Sequence, residues 1–314
     1  MLMINEDLLN IGEYRDFEHL EFLAKQVVEG FITGLHKSPF HGFSVEFSEH
    51  RIYNPGESTR NIDWKLFGRT DRLYTKRYEE ETNLRCRFML DCSGSMFYPE
   101  EGMANVKEPA KMLFSVIATL ALMNLLKRQR DAVALSLFGA SDLQTESGST
   151  IKHQKALSTE LYKVLEGYHR GGQAKISLID QLHLMAERTS RRSLLIIFSD
   201  FYEVQEHPEE FYSALQHLKH GKHEIIVFWT TDNQTEMDFK FESRPYKFID
   251  IESGESFKLN PQDYRSAYVE RMQTFKEELK QKCLQYKVDF VEADVRQGYH
   301  QVLQSYLIKR KIFS

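Results

Sequence analysis

The sequence predicts an α/β fold in which helices cover both faces of a mostly parallel sheet, with a β-containing extension at the amino-terminal end. The main domain is expected over residues 85–314 and the extension over 1–84. In the main domain, segments typical of strands alternate with segments typical of helices, which favours parallel strands joined by crossover helices. Continuous apolar runs, such as the one at 194–198, are typical of central strands buried on both faces.

The elements of the main domain follow from apolar periodicity and from turn residues. Strands are predicted at 85–91, 131–138, 194–199, 223–229, 246–251 and 287–292. Helices are predicted at 107–128, 154–166, 176–188, 208–220, 261–285 and 297–308. Gly221 is expected to end the fourth of these helices, because glycine is favoured immediately after a helix.

The extension begins with a predicted helix and continues with short strands. Asp16 is the expected N-cap of a helix that runs to about Glu29, since no proline or glycine interrupts it. Glycine and proline residues separate the stretches that follow, and the alternation at 44–47 and 73–78 is typical of half-buried strands. The rest of the extension is therefore expected to be rich in β-structure.

Composition predicts an ordinary soluble protein and argues against two function classes. The 314 residues are 41% hydrophobic and 28% charged, which is enough apolar material for one sizeable core plus an extension. The formal net charge of -5 and the scattered basic residues argue against a nucleic-acid-binding protein. The apolar segment at 112–126 is shorter than the roughly 20 residues that span a bilayer. It is expected to be a buried helix, and no membrane span is predicted.

Cysteine usage and the amino-terminal sequence favour a cytoplasmic protein. The three cysteines are Cys86, Cys92 and Cys283, and none of them forms a Cys-x-x-Cys pair. The first residues also lack the charged and then apolar pattern of a secretion signal.

The most informative motif is Asp-x-Ser-x-Ser at residues 91–95, directly after a predicted strand. A second predicted strand, at 194–199, is followed by Asp200. Parallel strands place such loops together at their carboxyl ends, where open α/β sheets bind ligands. Hard oxygen ligands of this kind favour Mg²⁺. The competing interpretation is that these aspartates and serines merely cap the helices that follow.

This arrangement resembles the metal-ion-dependent adhesion site of von Willebrand factor A domains, which have a Rossmann-like α/β fold. In that family an Asp-x-Ser-x-Ser loop, a threonine from a second loop and an aspartate from a third hold one divalent cation. The resemblance implies a Mg²⁺ site formed by Asp91, Ser93, Ser95 and Asp200. Paired glycines resemble the second loop and place Gln173 where the threonine is expected. Its amide oxygen can ligate a metal, but we expect Gln173 to be a weak or absent ligand.

A closer resemblance involves the extension. Residues 51–64 contain Arg-x-Tyr-x-Pro-Gly followed by Arg-x-Ile-Asp-Trp. Together with the motif at 91–95, this is similar to the bacterial domain of unknown function 58 family, whose members carry this signature ahead of a von Willebrand factor A-like domain. The resemblance implies that the protein acts with a MoxR-type AAA+ ATPase in assembling or activating other proteins. It does not identify the client protein.

Three residues of this signature, Arg60, Asp63 and Trp64, have two interpretations. The first and preferred one is structural: Arg60 and Asp63 form an ion pair and Trp64 packs the extension onto the sheet, since tryptophan is usually well buried. The second is that the three residues form a surface on which a partner docks.

The expected function is that of a non-enzymatic protein-binding adaptor. The alternative is a Mg²⁺-dependent phosphatase or hydrolase that uses Asp91 as the nucleophile, although Ser93 stands where the usual Asp-x-Asp arrangement has its second carboxylate. The sequence signatures of serine hydrolases and of phosphate-binding loops do not occur. His217, His220 and His223 imitate a zinc cluster, but the remaining ligands are not evident and a helix end explains them better.

Overall fold

The computed structural model describes residues 17–36, 50–52, 64–76, 84–167, 176–251 and 254–313. The chain divides into two compact units. The main unit comprises 1–33 together with 84–314, and the small unit comprises 34–83. The first helix, which the sequence placed in the extension, therefore belongs to the unit that holds the large sheet.

Nine helices and ten strands occur among the described residues. The helices are α1 (Phe17–His36), α2 (Trp64–Thr70), α3 (Lys111–Arg128), α4 (Ile151–Glu166), α5 (Leu178–Arg188), α6 (Tyr202–Glu206), α7 (Pro208–His220), α8 (Pro261–Gln285) and α9 (His300–Phe313). The strands are β1 (His50–Ile52), β2 (Tyr74–Lys76), β3 (Arg85–Cys92), β4 (Ala132–Gly139), β5 (Leu143–Gln144), β6 (Leu194–Ser199), β7 (Glu224–Thr231), β8 (Tyr246–Ile249), β9 (Ser256–Leu259) and β10 (Asp289–Asp294).

The main unit is built on a six-stranded sheet in the order β10-β7-β6-β3-β4-β5. Strands β10, β7, β6, β3 and β4 are parallel, and β5 is an antiparallel edge strand beside β4. Counted along the main unit, this is the doubly wound order 3-2-1-4-5-6. Its topological switch point lies between β3 and β6, where ligands bind in such sheets.

The two faces of the sheet are covered by different helices. One face packs on α5, α7 and α8 through apolar side chains such as Met89, Ile197 and Leu215. Helix α3, which buries most of its residues, packs with α4 and α9 on the other face. There Phe114 of α3 stacks on Tyr299 with ring centroids 4.7 Å apart. The expected α/β class, with a mostly parallel sheet between layers of helices, is confirmed.

The predicted strand at 246–251 is not part of this sheet. Its residues form β8, which pairs only with β9 in an antiparallel hairpin. Side chains of β8 alternate between half-buried and exposed, because one face of the hairpin covers an aromatic cluster and the other faces solvent. Phe248 stacks on Phe239 there, with ring centroids 5.8 Å apart. A strand exposed on one side fits a hairpin and does not fit the buried centre of a parallel sheet.

In the small unit, β1 pairs with β2 in antiparallel register, so that Arg51 lies opposite Thr75. The predicted strand at 73–78 overlaps β2, whereas the predicted strand at 44–47 lies outside the described residues. Trp64 begins the short helix α2 and makes an edge contact with Phe67, with ring centroids 6.2 Å apart. The side chain of Trp64 is 62% exposed, which contradicts the expectation that it is buried.

Within the described ranges, every helix is either too short or too polar to cross a lipid bilayer. Helix α3, which contains the long apolar segment seen in the sequence, is instead buried in the main unit.

Candidate functional site

Four of the five expected site residues meet at the switch point of the sheet. Asp91 is the second-last residue of β3, and Asp200 directly follows β6, the strand that pairs with β3. Ser93 directly follows β3, and Ser95 lies in the short 3-10 helix Gly94–Phe97 that comes next. We refer to these four residues as the Asp91 site. The fifth residue, Gln173, lies outside the described residues.

The carboxylate of Asp91 is buried and fully engaged. Its Oδ1 accepts a hydrogen bond from the backbone N–H of Ser93 at 2.9 Å. Its Oδ2 accepts one from the hydroxyl of Ser199 at 2.6 Å. Burial and, to a smaller extent, the negative charge of Asp200 together raise the pKa of Asp91 to about 7, although these hydrogen bonds oppose the shift. The surroundings of Asp91 therefore compensate its negative charge only in part.

The serine hydroxyls form the accessible side of the Asp91 site. The Oγ atoms of Ser93 and Ser95 lie 3.1 Å apart, and both side chains are half-buried. Gly139, at the end of β4, allows this loop to approach closely. It has a φ of +85°, and a Cβ atom there would lie 2.7 Å from the backbone nitrogen of Ser93. A glycine is therefore required on β4 to keep the Ser93 loop in place.

A buried lysine faces Asp200. Lys111 is the first residue of α3, and its side chain is 0% exposed. Its Nζ donates to Oδ2 of Asp200 at 2.8 Å and to Oε1 of Glu236 at 2.5 Å. Burial opposes the charge on Lys111, but the two adjacent carboxylates outweigh burial and raise the pKa of Lys111. Lys111 thus remains an ammonium ion inside the protein.

Glu236 connects this ammonium ion to the end of β7. Its Oε2 accepts from the backbone N–H of Asp232 at 2.7 Å, and its Oε1 also accepts from the hydroxyl of Tyr202 at 3.2 Å. Glu236 lies in a π-helical turn at 233–237. Burial raises the pKa of Glu236, the ammonium ion of Lys111 only partly offsets this effect, and the negative charge of Asp200 adds to it.

An arginine, Arg296, lies at the same edge of the sheet, shortly after β10. Nε and Nη2 of Arg296 donate to the two carboxylate oxygens of Asp232 at 2.8 and 2.9 Å. Its Nη1 donates to Glu108 at 3.3 Å. This planar, two-bonded contact neutralises the charge of Asp232.

The sequence reasoning missed Lys111 and Glu236. Lys111 directly precedes the apolar segment and was interpreted only as part of a buried helix. A signal was present, since the first residue of α3 is the only charged one before Lys127. For Glu236 we find no sequence signal, because it comes from a turn with no recognisable motif.

Two of the three histidines that imitate a zinc cluster, His217 and His223, contact different partners, and His220 is exposed. Nδ1 of His217 lies 3.1 Å from Nδ1 of His183 on α5. His223 is buried, and its Nδ1 accepts from the backbone N–H of Ser193 at 3.4 Å. In the described part of the chain, His, Cys, Asp and Glu side chains form no cluster of three or more that suits a metal ion.

The Asp91 site contains two serines and is therefore a different kind of site from such a cluster. Its hydroxyl and carboxylate oxygens are the hard donors that Mg²⁺ prefers. The carboxylates of Asp200 and Glu236 face the ammonium ion of Lys111, whereas the carboxylate of Asp91 accepts hydrogen bonds from uncharged groups. A divalent cation here would be held by Asp91, Ser93 and Ser95.

Comparison with known proteins agrees with the signature in the small unit. A family model described as "Protein of unknown function DUF58" matches residues 49–278. Uncharacterized protein Rv1480 of Mycobacterium tuberculosis (strain ATCC 25618 / H37Rv) and uncharacterized protein Mb1516 of Mycobacterium bovis are each 30% identical to the chain over 77 residues. The alignment covers 24% of this chain and 24% of each relative, so only about a quarter of their length is matched. The family model, in contrast, covers well over half of the chain, which therefore belongs to the family DUF58.

Proposed function

We propose that this protein is a non-enzymatic adaptor that binds partner proteins through the Asp91 site and acts with a MoxR-type AAA+ ATPase. The observation that carries the proposal is the convergence of Asp91, Ser93, Ser95 and Asp200 at the switch point of the sheet. The main unit is in this proposal a von Willebrand factor A-like domain. Its support is the doubly wound strand order with one antiparallel edge strand, together with an Asp-x-Ser-x-Ser loop at the end of β3.

The chemistry of the site favours an acidic group of the partner as the bound feature. Ser93 and Ser95 are half-buried, so their hydroxyl groups can reach solvent, whereas the carboxylate of Asp91 is only 7% exposed. A divalent cation, when bound, would supply the positive charge that a carboxylate of the partner requires. Asp91 and the two serines would orient that cation, and the shielded edge of the sheet would strengthen the contact.

The ATPase enters the proposal through the family resemblance alone. The resemblance to the family implies a MoxR-type ATPase as partner, and this chain has both the signature at 51–64 and the motif at 91–95. The residues of the Asp91 site support a binding function and carry no information about the identity of the client.

The geometry does not favour the phosphatase alternative. A carboxylate nucleophile must be reached by a phosphoryl group, but Asp91 is only 7% exposed and is held by hydrogen bonds from Ser93 and Ser199. Release of phosphate from an aryl phosphate by the purified protein, abolished in Asp91→Asn, would nevertheless establish that activity.

The proposal is tested with the two serines, because their removal leaves the buried carboxylates in place together with the hydrogen bonds to Asp91 from the Ser93 backbone and the Ser199 hydroxyl. We expect the double variant Ser93→Ala/Ser95→Ala to bind the MoxR-type ATPase of the same organism about tenfold more weakly, a loss of roughly 1.4 kcal/mol. Binding is measured by calorimetry with purified proteins. Variants are preferable to removal of Mg²⁺, since the ATPase itself depends on Mg²⁺ with its nucleotide.

The chain contains a matched control for this experiment. Ser147-Gly148-Ser149 repeats the tripeptide Ser-Gly-Ser, and both of its serines are exposed. Gly148 pairs with Val133 near the start of β4, so this tripeptide lies at the opposite edge of the sheet. Ser147→Ala/Ser149→Ala should bind the ATPase as the wild type does. Equal binding by both double variants would exclude the Asp91 site as the docking surface and leave the exposed Trp64 as the next candidate.

A further inference from the structure

We infer that Lys111 is a built-in counter-ion of the Asp91 site, which supplies to Asp200 the positive charge that a metal would otherwise supply and thereby weakens the site's affinity for divalent cations. The inference rests on the cation-binding part of the proposed function. It changes the expected role of Asp200, from a ligand of the cation to the partner of Lys111.

Burial and distance assign this role to Lys111. Its side chain is 0% exposed and that of Asp200 is 3% exposed, so water contributes little to solvating either charge. The separation of 2.8 Å between Nζ and Oδ2 is that of a charged hydrogen bond. An ammonium ion in such a place is stable only because carboxylates surround it, and Asp200 and Glu236 are both within contact distance.

The carboxylate of Asp200 is already paired with an ammonium ion of the protein, whereas that of Asp91 accepts hydrogen bonds from the uncharged groups of Ser93 and Ser199. Oδ2 of Asp200 faces Lys111, and its Oδ1 accepts from the backbone N–H of Tyr202 at 3.3 Å. The Trp229 indole donates to the backbone oxygen of Asp200 at 2.8 Å, which further fixes the residue. These three contacts fix the loop after β6.

The position of Lys111 also predicts an electrostatic penalty for metal binding. Ser199, which directly precedes Asp200, donates to Oδ2 of Asp91 at 2.6 Å, and Lys111 contacts Asp200 at 2.8 Å. A dication held by Asp91 and the two serines would therefore share this end of the sheet with the ammonium ion of Lys111, and like charges repel in a buried site. Removal of this ammonium ion should increase the affinity of the site for Mn²⁺ or Mg²⁺.

The test is calorimetric titration with Mn²⁺ of three variants and the wild type. Lys111→Met removes the charge with a side chain of similar length. Lys111→Met/Glu236→Gln removes one positive and one negative charge, so the net charge of the cluster is unchanged while Oδ2 of Asp200 is released. Lys127→Met is the matched control, because Lys127 is an exposed lysine in the last turn of the same helix. We expect the double variant to bind Mn²⁺ about tenfold more tightly than the wild type, and the control to bind as the wild type does.

Thermal unfolding provides a second readout, which can also be applied to a Lys111 variant of low stability. We expect Mn²⁺ to raise the melting temperature of Lys111→Met by more than that of the wild type, since the cation would replace the missing ammonium ion. Equal Mn²⁺ affinity in the wild type and the folded double variant would overturn the inference.

Two isosteric variants of the wild type complete the test if the Lys111 variants do not fold. Asp200→Asn should weaken Mn²⁺ binding much less than Asp91→Asn, because Asp200 is engaged by Lys111. Equal weakening by both variants would overturn the inference. Binding of the ATPase is measured separately on the serine variants, so failure of this inference is distinguishable from failure of the proposed function. A wild-type protein in which Asp200 is a direct ligand can still bind its partner through the Asp91 site.

Discussion

The ammonium group of Lys111 and the carboxylate of Asp200 lie 2.8 Å apart although 89 residues separate them in the chain. The contact joins the start of α3 to the end of β6 across the switch point of the sheet. An ion pair in this place connects the loops after β3, β6 and β7, because Glu236 shares the same ammonium ion.

Replacement of Lys111 by alanine should destabilise the protein by about 3–5 kcal/mol, since it leaves two buried carboxylates without their counter-ion. Urea unfolding measures this loss. Lys127→Ala, an exposed change of the same type on the same helix, should alter the free energy of unfolding by no more than about 0.5 kcal/mol. A similar small effect for Lys111→Ala would mean that the carboxylates are neutral or solvated.

Gly139 and Gly167 should respond in opposite ways to an alanine substitution. Gly139→Ala should cost about 1–3 kcal/mol, because the residue has a φ of +85° and its new Cβ atom would press on the backbone of Ser93. Gly167 has a φ of -77° and an open surrounding, so Gly167→Ala should be neutral or stabilise by up to about 1 kcal/mol. Chemical denaturation compares the two, and equal effects would contradict the close approach at Ser93.

The hydroxyl of Ser199 should contribute measurably to stability. It donates to Oδ2 of Asp91 at 2.6 Å and accepts from the backbone N–H of Phe201 at 3.0 Å. Ser199→Ala leaves Oδ2 of Asp91 and the N–H of Phe201 buried without this hydroxyl as a partner. It should lower the free energy of unfolding by about 1–3 kcal/mol, as measured by urea unfolding. Thr159→Ala removes an exposed hydroxyl on α4 and is the control. A loss for Ser199→Ala no larger than that of the control would place Asp91 in contact with water.

The two tryptophans should differ in their accessibility to a soluble quencher. Trp64 is 62% exposed and Trp229 is 2% exposed. Acrylamide should therefore quench the fluorescence of Trp229→Phe, which retains Trp64, much more strongly than that of Trp64→Phe. Weak quenching of both variants would show that Trp64 is covered in solution, in agreement with the expectation from the sequence that it is buried.

Stability should decrease on mild acidification partly because of His223. Burial lowers the pKa of His223 from its ordinary value of 6.5, and the nearby Lys219 lowers it further. As the pH falls below about 6.5, the unfolded chain takes up a proton that the folded state resists, so the folded state loses stability down to the folded pKa. His223→Asn keeps an acceptor for the Ser193 amide and cannot be protonated. Its free energy of unfolding should fall less between about pH 7.5 and 5.5 than that of the wild type, and parallel pH profiles would contradict this.

Much of the fold was determined by local sequence. The bounds of β6, α7 and α8 agree with the predictions from apolar runs and from Gly221, because burial on both faces and helix ends leave strong local signals. The strand predicted at 246–251 shows the limit of that reasoning. A short alternating segment indicates a strand, but only the tertiary structure decides whether it joins the main sheet or pairs with β9.

The candidate site also contains residues that the sequence predicted and a residue that only the tertiary structure revealed. The sequence alone predicted four residues of the site, which are Asp91, Ser93, Ser95 and Asp200. Each lies at or shortly after the end of a recognisable strand, and parallel strands bring their carboxyl ends together. The role of Lys111 could not be predicted, because a lysine at a helix start is usually solvated. Its burial depends on Asp200 and Glu236, which lie 89 and 125 residues further along the chain. Local sequence thus determined where these four oxygen-bearing side chains lie. Only the tertiary structure decided that an ammonium ion faces Asp200, because the surroundings of a buried charge come from segments that are far apart in the chain.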